Sequence, residues 1–210
     1  MSKICFLDND ILVKLVACNL FDEAIETLNV NRPSLIVLPS ARYYFIKSKR
    51  AQRRFPENIR LKVTKIANNC QTVERLEKSV LDEISMLQKY ENIDDGEATL
   101  VAATRGENSF WLITGDKRFL LTLANSSELN SIVLRLKGKV ICLEQIIRQV
   151  IYKRGFEKTL ANILPALQYD QSLKASFGSG KQSTEESVLV SLEAYIEFLR
   201  KQTKGMLQNI

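Results

Sequence analysis

Three acidic residues of this sequence lie at positions where their carboxylates could bind a metal ion. Asp8 and Asp116 each follow a short apolar run, and Glu97 opens an Ala-rich segment, with Asp10 and Asp95 as close neighbours. Each acid taken alone could be a helix cap. Carboxylates that converge at one place repel one another unless a cation is present, and hard divalent ions take oxygen ligands. An acidic cluster of this kind indicates Mg²⁺ or Mn²⁺ rather than zinc.

The absence of histidine narrows the chemistry further. The 210 residues include no His, which excludes a Ser-His-Asp triad, a Cys-His pair, a His-ligated zinc and a histidine general base. Hydrolysis by this chain would have to use carboxylates, Lys, Tyr or a bound metal. The four cysteines, Cys5, Cys18, Cys70 and Cys142, lack the spacing of a zinc site, so we expect them to be reduced residues of the core.

The elements that must position the acids alternate between strands and helices. Four short apolar runs predict buried strands, namely Ile4–Leu7, Ser34–Leu38, Phe110–Thr114 and Val140–Leu143. Helical patterns separate these runs, which favours an α/β fold with a parallel sheet covered on both faces. Ligands of such sheets bind beyond the carboxyl ends of the strands, where Asp8 and Asp116 are expected.

The chain divides into two predicted parts. Residues 1–154 contain all the strand patterns, and residues 155–210 are predicted to form a helical C-terminal extension with a flexible linker near 172–182. A final amphipathic helix is expected to reach about residue 204, and it must dock either on its own domain or on a second copy or partner. No apolar run is long enough to span a membrane, and we expect a cytoplasmic protein.

A block of basic residues follows the second predicted strand. Between Arg42 and Lys65 there are nine basic residues and one acid, Glu57. Lys and Arg neutralise phosphates, so this block predicts RNA binding. The candidate contacts are Arg42, Lys47, Lys49, Arg50, Arg53 and Arg54. Tyr43, Tyr44 and Phe55 could stack on unpaired bases, although for Tyr44 and Phe45 we favour the core.

Three blocks of the sequence resemble the PIN domains, a family of metal-dependent nucleases. Ile4–Leu12 (ICFLDNDIL) is similar to the opening strand and first acid of that family, and Asp95–Ala103 (DGEATLVAA) to its acid-led helix. Trp111–Phe119 (WLITGDKRF) is similar to its strand, Thr-x-Asp and Phe. The resemblance covers residues 3 to 150 and implies a three-layer α/β/α fold with a short parallel sheet.

The resemblance also implies a site and an activity. Asp8, Glu97 and Asp116 would hold one or two Mg²⁺ or Mn²⁺ ions, with Thr114 in support and Asp10 and Asp95 as second-tier ligands. The implied activity is a ribonuclease that leaves a 5′-phosphate and a 3′-hydroxyl. The family includes the toxins of toxin–antitoxin pairs, which implies a possible inhibitory antitoxin partner. One departure is that the helix from residue 40 to 47 lacks the carboxylate that the family usually has there.

Three other functions stay open on the sequence. Asp8 and Asp10 after a buried strand look like the nucleophile and acid of a haloacid-dehalogenase-type phosphatase. A PIN-like domain could also bind RNA without cutting it. Finally, the acids could be helix caps in a non-enzymatic protein whose C-terminal helix binds a partner, and that helix also makes a homodimer an expectation.

Overall fold

The computed structural model describes residues 3–73 and 77–210. Its strands are β1 (Ile4–Leu7), β2 (Leu35–Val37), β3 (Gln71–Thr72), β4 (Phe110–Ile113) and β5 (Val140–Ile141). They form one parallel sheet in the order β3-β2-β1-β4-β5. The predicted parallel sheet and its four apolar strands are confirmed, whereas β3, which is short and polar, was not predicted.

The helices of the first part of the chain separate the strands. They are α1 (Asn9–Ala17), α2 (Phe21–Thr27), α3 (Ala41–Lys47), α4 (Lys49–Arg54), α5 (Glu57–Asn68), α6 (Lys78–Leu87), α7 (Asp95–Ala103), α8 (Lys117–Asn125), α9 (Asn130–Leu136) and α10 (Leu143–Arg154).

Helices cover both faces of the sheet because the strand side chains alternate between two hydrophobic cores. Cys5 and Leu7 of β1 belong to one core, which includes residues of α1, α2, α3, α5 and α10. Phe6 belongs to the other, with residues of α7, α8 and α9. The chain is therefore an α/β protein with helices on each side of a parallel sheet. All four cysteines are buried and free, as predicted.

The C-terminal extension forms α11 (Phe156–Ile163), α12 (Gln171–Ser176) and α13 (Glu185–Gln202). The segment predicted to be a flexible linker, near 172–182, includes most of α12. Asp170 caps α12 by accepting a hydrogen bond from the Leu173 amide at 2.9 Å, and both Leu173 and Phe177 are buried in the same core as β1. Small polar residues in this segment therefore surround apolar side chains that fasten it to the sheet domain.

The final helix docks on its own chain. Val188, Leu192, Ile196 and Leu199 are buried along one side of α13. Beyond it, Leu207 forms a parallel bridge to Val140 of β5. In the described ranges, no helix combines the length and the apolar character that crossing a bilayer requires.

Candidate active site

The strand order places the first and third predicted acids side by side. The chain moves from β1 to β2 and β3 on one side and then returns to build β4 and β5 on the other, so the order reverses between β1 and β4. Ligands of open parallel sheets bind at such a switch point. Asp8 directly follows β1, and Asp116 lies three residues beyond the end of β4, since β4 ends at Ile113.

A cleft of about 880 Å³ opens at this edge of the sheet. Seven acids line it, namely Asp8, Asp10, Asp94, Glu97, Asp116, Glu144 and Asp170. Basic side chains line it as well, namely Lys14, Arg50, Arg54, Lys117 and Arg118. The structure therefore brings the three predicted ligands to one cleft, where charges of both signs are present.

Thr114 connects Asp8 to Asp116. Its hydroxyl donates a hydrogen bond to Oδ2 of Asp8 at 3.3 Å, and its Oγ1 accepts one from the Asp116 amide, also at 3.3 Å. Because Thr114 is buried, its side chain is held between the ends of β1 and β4. The structure thus places Thr114 beside Asp8, and the supporting role that the PIN resemblance implies for it stays a prediction.

Glu97 enters the cleft from the first turn of α7. Oδ1 of Asp94 accepts a hydrogen bond from the Glu97 amide at 2.8 Å, and Oε2 of Glu97 accepts one from the Asp94 amide at 2.9 Å. This reciprocal pair is a capping box, which satisfies free amides at a helix start. The prediction that Asp94 and Glu97 form a capping box is thus confirmed. The capping box uses only Oε2 of Glu97, and among the described residues Oε1 has no hydrogen-bond partner.

Asp116 is likewise both a cap and a residue of the cleft. Its Oδ1 accepts hydrogen bonds from the amides of Arg118 at 2.8 Å and Phe119 at 3.0 Å, which begins α8. A capping carboxylate keeps its second oxygen free for another partner. Capping and ligand binding are therefore compatible here, and the cap fixes the direction of the side chain.

Two glycines next to these acids in the sequence pack closely against apolar side chains. A Cβ atom on Gly96 would lie 2.8 Å from Cδ1 of Leu38, and one on Gly115 would lie 3.0 Å from Cδ1 of Ile11. Both separations are shorter than normal carbon contacts. Residues with side chains at these positions would require the side chains of Leu38 or Ile11 to shift.

Burial and mutual repulsion perturb the acids of the cleft. Burial, together with the charge of Asp10, raises the pKa of Asp8 to about 7. Burial, together with the charges of Asp94, Asp116 and Asp8, raises the pKa of Glu97 to about 8. Perturbed acids in a cleft are typical of functional sites.

The donor set has the chemistry of a magnesium or manganese site. Carboxylate oxygens and a hydroxyl are hard ligands, and neither imidazole nor an exposed thiol stands among them. As the side chains stand, however, residues 3–73 and 77–210 contain no group of three or more acids or cysteines close enough together to enclose a metal ion. A cation would have to draw the uncommitted carboxylate oxygens toward one point.

The two second-tier acids lie differently from the three main ones. Asp10 lines the cleft but forms an ion pair with Lys14, and its Oδ1 lies 3.8 Å from Arg54. Asp95 is outside the residues that line the cleft and accepts a hydrogen bond from Gln88 at 2.8 Å. The neighbouring Asp94 occupies the cleft instead, which sequence reasoning missed because its spacing to Glu97 was fully explained as a cap.

The predicted RNA contacts divide into two groups. Arg50 and Arg54 line the cleft, whereas Lys47, Lys49 and Arg53 are exposed outside it. Arg42 lies outside as well, and its guanidinium donates to the carbonyl oxygen of Cys70 at 3.0 Å.

The aromatic residues among these charges also divide. Tyr44 lines the cleft and is 37% exposed, so the prediction that it belongs to the core is wrong, and Tyr43 is more exposed still. Phe45 is buried as predicted. Phe55 is buried too, which excludes base stacking by its ring in this conformation.

The C-terminal extension contributes to the cleft, which the sequence did not indicate. Residues 168–172 line it, and the carboxylate of Asp170 lies 2.7 Å from Nζ of Lys14. Burial acts to raise the pKa of Asp170, but the charge of Lys14 and the hydrogen bonds from Lys14, Ser172 and Leu173 together hold the pKa below its usual value. The extension is thus part of the wall of the site.

No protein-family model matches this sequence, and comparison with curated proteins and with solved structures gives no significant match.

Proposed function

We propose that this chain is a Mg²⁺- or Mn²⁺-dependent ribonuclease with a PIN-like fold. One observation carries the proposal: Glu97 is buried and lines the same cleft as Asp8, Asp94 and Asp116. Such a group of carboxylates is costly when it is ionised without a counterion. A divalent cation bound among them would remove that cost.

Asp8, Glu97 and Asp116 are the residues that would hold the ion, with Asp94 beside them. When bound, such an ion lowers the pKa of a water molecule and stabilises the charge on phosphodiester oxygens. No histidine is needed for that chemistry.

The other residues of the cleft position the site and the substrate. Thr114 fixes the orientation of Asp8 through its hydroxyl, and the capping bonds fix Glu97 and Asp116. Arg118 follows Asp116 at the start of α8, where an exposed cation attracts phosphates of a bound strand. Nζ of Lys117 lies 2.9 Å from the buried carboxylate of Glu144 and is already paired.

RNA is the substrate we propose because basic and aromatic side chains adjoin the acids. Arg50 and Arg54 line the cleft for phosphate contact, and the exposed ring of Tyr44 is available for stacking on an unpaired base. Cleavage would leave a 5′-phosphate and a 3′-hydroxyl. The wider proposal is a cytoplasmic toxin of a toxin–antitoxin pair, with an inhibitory protein partner and a homodimeric state.

A phosphatase of the haloacid-dehalogenase type is less well supported by the site. That reaction would use Asp8 as nucleophile and Asp10 as proton donor. Asp10 forms an ion pair with Lys14 and faces Arg54, and a carboxylate held between two cations is poorly placed to deliver a proton.

The test is a cleavage assay on single-stranded RNA, single-stranded DNA and a phosphomonoester, each with Mg²⁺, Mn²⁺ or EDTA. We expect cleavage of RNA that requires the metal and falls roughly 100-fold or more in Asp8→Asn and Asp116→Asn. Both substitutions preserve side-chain shape and capping oxygens. Glu91→Gln, an exposed acid outside the cleft, is the matched control and should retain activity. Phosphomonoester turnover without RNA cleavage would support the phosphatase instead.

A further inference from the structure

We propose that Tyr169 and Asp170 of the C-terminal extension are positioning residues that hold the basic helix α4 at the cleft, so that Arg50 and Arg54 meet the phosphates of a single-stranded polynucleotide. The identity of the ligand rests on the proposed function. The positioning itself rests on contacts between the extension, α4 and α1.

Helix α4 needs support from outside itself. It has six residues, of which Lys49, Arg50, Arg53 and Arg54 carry positive charge. A helix this short is marginal in isolation, and like charges four residues apart repel one another. Its apolar contacts come from Ala51 and from Phe55, which follows the helix, and both are buried.

Tyr169 provides the first external contact. Its ring lies against that of Phe55 with 5.0 Å between the centroids, and its carbonyl oxygen accepts a hydrogen bond from Nη2 of Arg54 at 2.9 Å. The hydrogen bond joins two residues that are 115 positions apart in the sequence. The end of α4 is therefore fixed by the extension through a packed ring and a guanidinium bond.

Asp170 provides the second contact by anchoring the extension to α1. Oδ2 of Asp170 lies 2.7 Å from Nζ of Lys14, while its Oδ1 caps α12 through the Leu173 amide. Lys14 also pairs with Asp10, whose other oxygen faces Arg54. The ion pairs thus link α12, α1 and α4 in one network at the edge of the cleft.

The network leaves the arginines available to a ligand. The side chain of Arg54 is 42% exposed, and its Nη1 lies 3.8 Å from Asp10, which is longer than a hydrogen bond. Arg50 lines the cleft one helical turn earlier. The guanidinium groups can therefore still donate to phosphate oxygens while the backbone of α4 is held in place.

The experiment measures the stability of α4 and the affinity for the ligand separately. Hydrogen exchange of the α4 amides is measured in the free full-length protein. Affinity for a short single-stranded RNA is measured by fluorescence anisotropy in EDTA at several salt concentrations. The variants are Tyr169→Ala and Asp170→Asn. Tyr169→Phe, which keeps the ring and the carbonyl, is the matched control, and Val190→Ala tests an exposed position of α13.

For Tyr169→Ala we expect faster hydrogen exchange in α4 and about tenfold weaker RNA binding. The slope of log affinity against log salt concentration should be smaller in magnitude by roughly one to one and a half, which is the change for two lost phosphate contacts on a single strand. Asp170→Asn should show the same changes at smaller size, and both controls should match wild type. If Tyr169 served folding alone, Tyr169→Ala would lower the amount of folded protein. The molecules that do fold would then bind RNA with the salt dependence of the wild type.

Unchanged α4 exchange in both variants would overturn the inference, and so would unchanged affinity and slope. If Tyr169→Ala does not fold, Asp170→Asn, which retains the α12 cap, decides the outcome by the same readouts. If wild type binds RNA but does not cut it, the ribonuclease proposal fails while this inference stands on binding. If wild type binds no single-stranded polynucleotide, both fail.

Discussion

Thr114 donates its hydroxyl hydrogen to Oδ2 of Asp8 at 3.3 Å, across the junction of β4 and β1. Oγ1 of Thr114 also accepts a hydrogen bond from the Asp116 amide, so one buried side chain orients two acids of the cleft. Groups that orient metal ligands typically affect metal affinity or activity by about 10- to 100-fold.

Thr114→Val should therefore lower metal-dependent RNA cleavage by about 10- to 100-fold, because the shape stays similar while the hydroxyl is lost. Thr114→Ser keeps the hydroxyl and should retain most of the activity. The loss of stability in Thr114→Val should be about 1–3 kcal/mol, since the Asp116 amide loses its acceptor. Equal activities in the two variants would contradict the orienting role.

The raised pKa values predict how stability depends on pH. The pKa of Glu97 is raised to about 8 and that of Asp8 to about 7, so the folded chain binds more protons than the unfolded chain between the ordinary carboxyl range and pH 8. The free energy of unfolding without metal should consequently fall as pH rises through that interval.

Glu97→Gln should remove much of this penalty. Above pH 8 it should be more stable than wild type by roughly 2 kcal/mol, a value discounted for solvent screening, and at about pH 4 the two should be alike. Chemical denaturation at both pH values measures the difference. Added Mg²⁺ should stabilise wild type but not the variant above pH 8. A wild-type stability that rises steadily to pH 8 would contradict the charge repulsion.

Adjacent acids allow a matched comparison at the start of α7. Asp94 lines the cleft and acts on Glu97, whereas Asp95 lies outside and bonds Gln88. We expect Asp94→Asn to lower metal-dependent cleavage about 10-fold or more with little change in stability, because Asn is also a good cap. The Asp95→Asn variant should cleave RNA like the wild type. A larger loss of cleavage in Asp95→Asn than in Asp94→Asn would contradict the placement of Asp94 in the cleft.

The packing of the extension predicts a large loss of stability on truncating Phe177. Its ring is fully buried in the core shared with β1, so Phe177→Ala should cost about 3–5 kcal/mol. Phe198→Ala, on the half-exposed face of α13, should change stability by less than about 0.5 kcal/mol. If residues 172–182 were a flexible linker, the two variants would be equally stable.

The sequence predicted the sheet and the three main acids because both follow from strong local patterns. Buried parallel strands read as continuous apolar runs, and the acids come directly after them or open a helix. The polar two-residue strand Gln71–Thr72 has no such pattern and depends on pairing with β2. Its existence could be found only from the fold.

Residues that depend on long-range contacts were missed for the same reason. Asp170 reaches the cleft through Lys14, and in the sequence it stands just before the segment predicted to be a flexible linker. For Tyr44 we favour the core on the sequence, because a solvated basic helix can turn its aromatic residues inward, but α3 turns this ring toward the cleft. Asp94 could have been found by noting that a capping acid keeps one free oxygen.

The central claim is that Asp8, Glu97 and Asp116 share a divalent cation, and anomalous diffraction from a crystal grown with Mn²⁺ tests it most directly. We predict a manganese peak in the cleft, with an oxygen of each of the three carboxylates about 2.0–2.3 Å away. Asp116→Asn crystals should lack or weaken that peak. A wild-type crystal that contains Mn²⁺ elsewhere and none among these three side chains would contradict the account.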